Sequence, residues 1–300
     1  MIRHLQRDRI DARWWDQRLL ECRNKLWYAR YQVLDLASPG WEALVDDQSG
    51  AIMPLTWRRK YGVRYLFQPF ALQQLGIFSP APIDPAQQER MLRAVPPAFR
   101  LVDIAGNGEA PPPVIPGWAS TPSANLIVRH DAASVDHRVG YSQGHLRNLR
   151  RGTEAEFHAI GTDPFMALFL GTTALRHGPF DKAGLRALPR MIQLSMDLGE
   201  GRIEGMTVDG QLVAAIWWVV WQDRVLLMKS ANSDKGRGEH AMFHLVDRCI
   251  GTLPPGGMLD LAGSNDPGTR RFYEGFGARP STYFRLRRNT LPRWIRKLKP

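Results

Sequence analysis

Leu212 to Trp221 is the longest apolar run in the chain, ten residues without a charge. With turn signals on either side, a run of that length reads as a central strand buried on both faces. Before it, Arg202 to Val208 ends in Asp209-Gly210, a two-residue hairpin signal. After it, Gln222-Asp223 turns the chain into a third strand, Arg224 to Ser230. The period then changes. Met242, Leu245, Val246, Cys249 and Ile250 stand at i, i+3, i+4, i+7 and i+8, one apolar face of a helix over 237–251. A short strand, Met258 to Ala262, follows, so strand 224–230, helix 237–251 and strand 258–262 form a β-α-β unit. The stretch 261–287, LAGSNDPGTRRFYEGFGARPSTYFRLR, predicts a short helix between that strand and a last alternating, aromatic one. Three helices precede the meander: Val139 to Glu154, with Tyr141, Leu146 and Leu149 inward and Arg147, Arg150 and Arg151 outward, then Phe165 to Arg176 and Leu185 to Leu198.

The first half is less regular. Asp11 to Cys22 reads as an amphipathic helix around Trp14, Trp15, Leu19 and Leu20. LWYARYQVLDL and AIMPLTWRRKYGVRYLFQPF read as short strands, with a hairpin turn at Lys60-Tyr61-Gly62. Pro85 to Val95 reads as a helix and Phe99 to Ile104 as a strand. Residues 106–124, GNGEAPPPVIPGWASTPSA, hold too much Pro and Gly for a helix or a central strand and mark a join between domains.

Three hundred residues suit about two domains. The hydrophobic fraction, 44% with ten tryptophans, rules out a disordered chain. Two cysteines, Cys22 and Cys249, make neither a disulfide framework nor a thiolate metal site. The N-terminus has no apolar signal core, and the longest apolar run is half of the about 20 residues that a membrane-spanning helix needs. A cytoplasmic protein is expected. The net charge of +11 is concentrated between Arg129 and Arg151 and in the tail, Arg285 to Lys299. Such clusters attract phosphates, nucleic acid or anionic lipid. The tail also carries Trp294, Ile295 and Leu298, which suits peripheral contact with a membrane surface.

The glycine-rich segment Asp234-Lys235-Gly236-Arg237-Gly238 enters the helix of the β-α-β unit. Backbone N–H groups at such a helix start bind anions, and Lys235 and Arg237 add charge. A loop that merely needs glycine conformations would look the same. His240 and His244 lie one helical turn apart, but no complete ligand set accompanies them, so no metal site is expected. No Gly-x-Ser-x-Gly elbow is present. Trp217, Trp218 and Trp221 read as core. Asn265 reads as a helix cap or turn residue, and Tyr273 on its own as a buried phenol.

Asn265 after a strand, then Phe272-Tyr273 and Gly275-Phe276-Gly277, resembles the GNAT N-acyltransferase superfamily. The resemblance implies an acyl-CoA, acetyl-CoA or longer, lying between two splayed strands, here 224–230 and 258–262. Lys235, Gly236, Arg237 and Gly238 would hold its pyrophosphate. Tyr273, helped by Asn265, would carry the catalysis, with the phenol protonating the departing thiolate, a role worth roughly 10²–10⁴-fold in rate. Backbone N–H groups in the gap would stabilise the oxyanion. The superfamily's phosphate signature is Gln/Arg-x-x-Gly-x-Gly/Ala. From Arg237 this chain reads Arg-Gly-Glu-His-Ala-Met, with His240 and Met242 at the small-residue places.

Several segments together, WEALVDDQSGAIMPLTWRRKYGVRYLFQPFALQQLGIFS, YSQGHLRNLRRG and LDLAGSNDPGTRRFYEGFGA, are similar to bacterial double-GNAT proteins grouped with Fem-type peptidyltransferases. The implied fold is α/β, two tandem GNAT-like domains, each a mixed, mostly antiparallel sheet flanked by helices. Residues 1–124 would be a degenerate N-terminal domain on the acceptor side, and 125–300 the acyltransferase domain. Arg147, Arg151 and Tyr141 would meet a small-molecule or peptide amine acceptor. Two alternatives stand beside acyl-CoA chemistry. One is a Fem-type transfer from aminoacyl-tRNA onto a peptidoglycan-type or other envelope precursor, with tRNA or the anionic precursor held on the basic surface. The other is a non-catalytic binding protein, favoured by the altered glycine signature.

Overall fold

The computed structural model describes residues 1–110, 112, 114–130, 136–151, 155–178, 180–262 and 265–292. In chain order the elements are β1 (Ile2–Leu5), α1 (Ala12–Glu21), α2 (Tyr31–Ala37), β2 (Glu42–Asp46), β3 (Ile52–Leu55), β4 (Trp57–Lys60), β5 (Val63–Phe67), α3 (Pro85–Arg93), β6 (Phe99–Ala105) and β7 (Trp118–Arg129). There follow α4 (Gln143–Leu149), β8 (Glu156–Ala159), α5 (Thr162–Gly171), α6 (Thr173–His177), α7 (Lys182–Asp197), β9 (Gly201–Val208), β10 (Gln211–Trp221) and β11 (Arg224–Asn232). The last are α8 (Asp234–Gly238), α9 (Ala241–Gly251), β12 (Met258–Asp260), α10 (Pro267–Glu274) and β13 (Arg279–Asn289). The tail from residue 293, read above as a membrane contact, lies outside the described residues.

The chain divides into two compact units, Met1–Ser123 with Thr282–Pro300, and Ala124–Ser281. The last segment therefore does not stay with the second unit, as a division into 1–124 and 125–300 would have it. From Arg285 to Asn289, β13 pairs antiparallel with β6 and completes the first unit.

In the first unit, β1, β2 and β3 form one antiparallel sheet, while β4, β5, β6 and β13 form a mixed one with β5 and β6 parallel. Its core gathers Leu44, Met53, Leu66, Met91, Phe99 and Leu286. LWYARYQVLDL is not a strand: a short turn leads into α2, where Val33, Leu34 and Ala37 are buried at helical spacing. Aromatic residues there suggested a strand, but Trp27 and Tyr28 are core anchors on the turn. Residues 118–124, expected in the join, begin β7 instead. On the β12 side the missing N–H of Pro122 breaks no pairing, since β12 meets only Ile127, Val128 and Arg129.

The second unit is a mixed sheet in the order β7-β12-β11-β10-β9-β8, antiparallel except for β11 beside β12. The β9–β10 turn is the expected one, with Asp209 and Gly210 both at positive φ (50° and 72°). Val213, Ile216, Trp218, Val225 and Leu227 face α9 and α10 through one core. Trp217 is fully buried, with its indole N–H on Ser195 of α7 at 3.1 Å. Three helices differ in extent from their sequence pattern. The one read over 139–154 spans only 143–149, because Ser142 caps it by accepting the His145 N–H. That over 165–176 starts at Thr162 and breaks at Thr172. That over 237–251 is two helices, because His240 turns left-handed (φ 53°) between α8 and α9.

α4 and α10 are locked together. The Ser142 N–H donates to the Gly275 carbonyl at 2.8 Å. His145 Nε2 lies 2.8 Å from the Phe272 carbonyl, which can only accept, so Nε2 carries the proton. Its Nδ1 then accepts from the Ser142 hydroxyl at 2.9 Å. Burial lowers the imidazole's pKa, which favours this neutral form, although the Phe272 bond works the other way. The ring sits among Phe243, Phe272 and Phe276, and a Cβ on Gly275 would fall inside it. Gly275→Ala should therefore destabilise the protein by about 1–3 kcal/mol. Denaturant unfolding of Gly275→Ala, His145→Ala and the double variant should show a double loss smaller than the sum of the singles.

Candidate functional site

β11 and β12 pair at three positions only, Arg224↔Met258, Val225↔Leu259 and Leu226↔Asp260. β12 then stops while β11 runs on to Asn232. The stop has a local cause. Ala262 is left-handed (φ 51°), a conformation that cannot continue a strand. The Asp260 carboxylate holds it there by accepting the Ala262 N–H at 2.9 Å, and takes Arg224 Nη1 at 3.1 Å. Asp260 is fully buried; burial raises its pKa, against the opposing pull of Arg224, the Ala262 N–H and the Asn125 side chain.

The parted strands leave a cleft of about 510 Å³. Leu227, Ser230 and Asn232 of β11 line one side, α8 and α9 contribute Gly236, Arg237, His240 and Phe243, and α10 contributes Phe272 and Tyr273. Asp266 caps α10 by accepting the Thr269 N–H at 2.7 Å, and Pro267 fills the first position, where no N–H is needed. The helix is thereby started so that Tyr273 falls on its buried side. Tyr273 is 8% exposed, and burial pushes its phenol up to about 12, so it is a protonated donor at neutral pH.

The glycine-rich segment is not an open phosphate loop. The Gly236 N–H is taken by the Ser233 hydroxyl at 3.0 Å, and a Cβ there would stand 2.6 Å from the Val213 carbonyl. Gly236 is a packing glycine that lets α8 lie against β10. Lys235 turns away to Asp209 at 2.7 Å, and neither it nor Gly238 lines the cleft. Arg237 does line it, ion-paired with Asp234, which also receives Arg176 at 2.9 Å. Arg151 donates to His240 Nε2 at 2.8 Å, so this imidazole nitrogen is an acceptor and His240 joins Arg151 to the cleft wall. Asn232 presents a buried side-chain oxygen with no hydrogen-bond partner among the described residues.

Of the residues singled out in the sequence, Tyr273, Gly236 and Arg237 come together, with Arg151 joined through His240. Arg147 is exposed on α4. Tyr141 precedes α4 and is buried edge-on against Phe276 at 5.1 Å, its phenol held protonated by burial and by Asp247. Asn265 is neither the helix cap, which is Asp266, nor a lining residue; its side-chain oxygen accepts the Ala124 N–H at 3.0 Å. Arg176, His177, Asn232 and His240 were not marked as site residues. Only His240 had a signal, its place at a glycine of the signature. Among the described residues no three His, Cys, Asp or Glu side chains gather for a metal, and no helix is long and apolar enough to cross a membrane.

Residues 140–280 match the acetyltransferase (GNAT) domain family. No curated protein sequence matches the chain. Among solved structures, a FemX crystal structure is similar at 10% identity and a TM-score of 0.63, over 97% of this chain and 98% of that one. L-PGS from Bacillus licheniformis is similar at 12% identity and a TM-score of 0.52, over 96% and 95% of the two chains. The C-terminal domain of a putative lysylphosphatidylglycerol synthetase from Agrobacterium fabrum has 12% identity and a TM-score of 0.52, over 86% and 85%. At such identities the likeness is one of fold. The chain is GNAT- and Fem-like in fold, with the match to the GNAT domain family confined to residues 140–280.

The Tyr273 phenol has a measurable signature. Between the ordinary tyrosine value of 10.0 and about 12, the unfolded chain ionises and the folded one does not. Stability from this group is complete below the lower value and is lost as pH rises through the upper one. Ultraviolet titration against Tyr273→Phe should show one tyrosine missing near pH 12, and the variant's stability should fall less over this window.

Proposed function

We propose that the chain transfers an acyl group from an acyl-CoA, acetyl-CoA or a longer homologue, onto an amine of a small molecule or peptide. The observation that carries this reading is a neutral, buried phenol on the wall of a cleft opened by two parting parallel strands. The acceptor nitrogen attacks the thioester carbonyl carbon. N–H groups of β11 past Leu226 meet the oxyanion, where preorganised donors act strongly. As the C–S bond breaks, Tyr273 gives its proton to sulfur; the nitrogen releases its own to solvent, from which the phenol is restored. Arg237, with Arg151 behind His240, meets the donor's phosphates. The free oxygen of Asn232 accepts an N–H of the donor arm. Arg147 is open to an anionic acceptor.

A second reading, transfer from aminoacyl-tRNA onto an envelope precursor, draws on Arg147 and Arg150, both exposed at α4. Calorimetric titration separates the two. Acetyl-CoA or a longer acyl-CoA should bind the wild type, more weakly Arg237→Ala, and equally Tyr273→Phe. With an acceptor found, Tyr273→Phe should lower kcat by about 10²–10⁴-fold with little change in donor KM. Absence of acyl-CoA binding together with steeply salt-dependent tRNA binding would select the second reading. Absence of both would leave a non-catalytic binding protein.

A further inference from the structure

The β4–β5 hairpin of the first unit has features that its place in the sheet does not require. Between Trp57 and Phe67 it carries Arg58, Arg59, Lys60 and Arg64 and no carboxylate. Its turn, Tyr61-Gly62, has both central residues at positive φ (49° and 77°). Such turns favour Asn-Gly or Asp-Gly, because a bulky side chain is disfavoured in the left-handed region. The β9–β10 turn of the same chain follows that preference with Asp209-Gly210. Here a tyrosine stands instead, 93% exposed at the tip, with Lys60 Nζ 5.4 Å from its ring. Local backbone energy and burial both argue against a tyrosine at this position.

β4 is an edge strand, and cations on an edge discourage pairing with another chain. That accounts for Arg59 and Lys60 but not for Tyr61. A single-stranded nucleic acid would need open aromatic faces for its bases. Tyr61 offers one such face, too few for successive bases, and the half-buried Phe67 and Trp57 are covered: the Arg58 guanidinium lies over Phe67 at 4.0 Å and that of Arg64 over Trp57 at 4.1 Å. Arg64 is also spent on Glu42. What remains outward is a tip with one tyrosine beside Lys60 and Arg59. Tyrosine is at home at the headgroup level of a bilayer, and lysine and arginine are drawn to anionic lipid there.

We propose that the β4–β5 hairpin docks the protein on an anionic phospholipid surface, with Tyr61 at headgroup level and Arg59 and Lys60 against the lipid phosphates. The test is sedimentation of the full chain with vesicles of phosphatidylcholine alone or mixed equally with phosphatidylglycerol, at about 0.1 M salt. The wild type should bind the mixed vesicles and not phosphatidylcholine. Arg59→Glu with Lys60→Glu should weaken that binding about tenfold or more. Lys182→Glu with Arg186→Glu, an equal charge change on exposed positions of α7, should weaken it far less. Tyr61→Asn suits the turn and should be at least as stable to heat, yet bind vesicles more weakly. Equal losses for the hairpin and α7 pairs would overturn the proposal, since binding would then follow net charge. So would unchanged binding in Tyr61→Asn, or hairpin-dependent binding to poly(U) without binding to vesicles.

Discussion

The second unit is organised around one buried ion pair. Asp260 and Arg224 sit where β12 and β11 are still paired, and the same carboxylate holds Ala262 in a conformation that ends the strand. A fully buried carboxylate without partners would cost several kcal/mol. Here each oxygen has a named donor, and the arrangement converts a continuous parallel pair into a fork. The cleft lined by Tyr273 and Arg237 lies beside the gap this creates. With β12 extended by a few residues, the backbone groups of Leu227 to Asn232 would be satisfied by a neighbour, and no cleft would separate β11 from α10.

The second constraint is the clamp on α10. A phenol is useful only if it is held at a fixed place, and Tyr273 lies between two anchors of one short helix. At the start, Asp266 and Pro267 fix the first turn. At the end, Ser142 and His145 take the carbonyls of Gly275 and Phe272. The imidazole fits because position 275 has no side chain. Phe272, Phe276 and Phe243 close around it, so Gly275, Phe272 and Phe276 of FYEGFG are explained by one histidine from another helix.

What the sequence disclosed follows from the range of the forces involved. The meander of β9, β10 and β11 was legible because hairpin turns and a two-faced apolar strand are local signals. So was the apolar face of α9. The burial of Tyr273 on a short helix was legible because the residues around it form a contiguous pattern. The failures are of another kind. Lys235 looks like a phosphate ligand next to a glycine, but Asp209, on a turn 26 residues earlier, claims it. Gly236 looks like a residue freed for a ligand and is needed for contact with Val213. Arg176 and His177 end a helix with no distinguishing pattern, and only the approach of α6 to β11 brings His177 to the cleft and Arg176 to Asp234. In the first unit, aromatic residues misled the reading of α2, whose helical period is visible only in Val33, Leu34 and Ala37.

The altered glycine signature acquires a physical meaning from His240. The backbone there is left-handed, the conformation for which glycine is favoured, although a histidine occupies it. Holding histidine in that region is unfavourable unless the side chain gains something. It gains a hydrogen bond from Arg151, two residues past the end of α4. On the proposed reading, a phosphate would be met by side chains rather than by backbone N–H groups, because the Gly236 N–H is already taken by Ser233 while Arg237 and His240, the latter bonded to Arg151, line the cleft. Asn232, Tyr273 and Arg237 line one cleft, and on the proposed reading a ligand with an N–H, a thioester sulfur and a phosphate would answer to the three in turn.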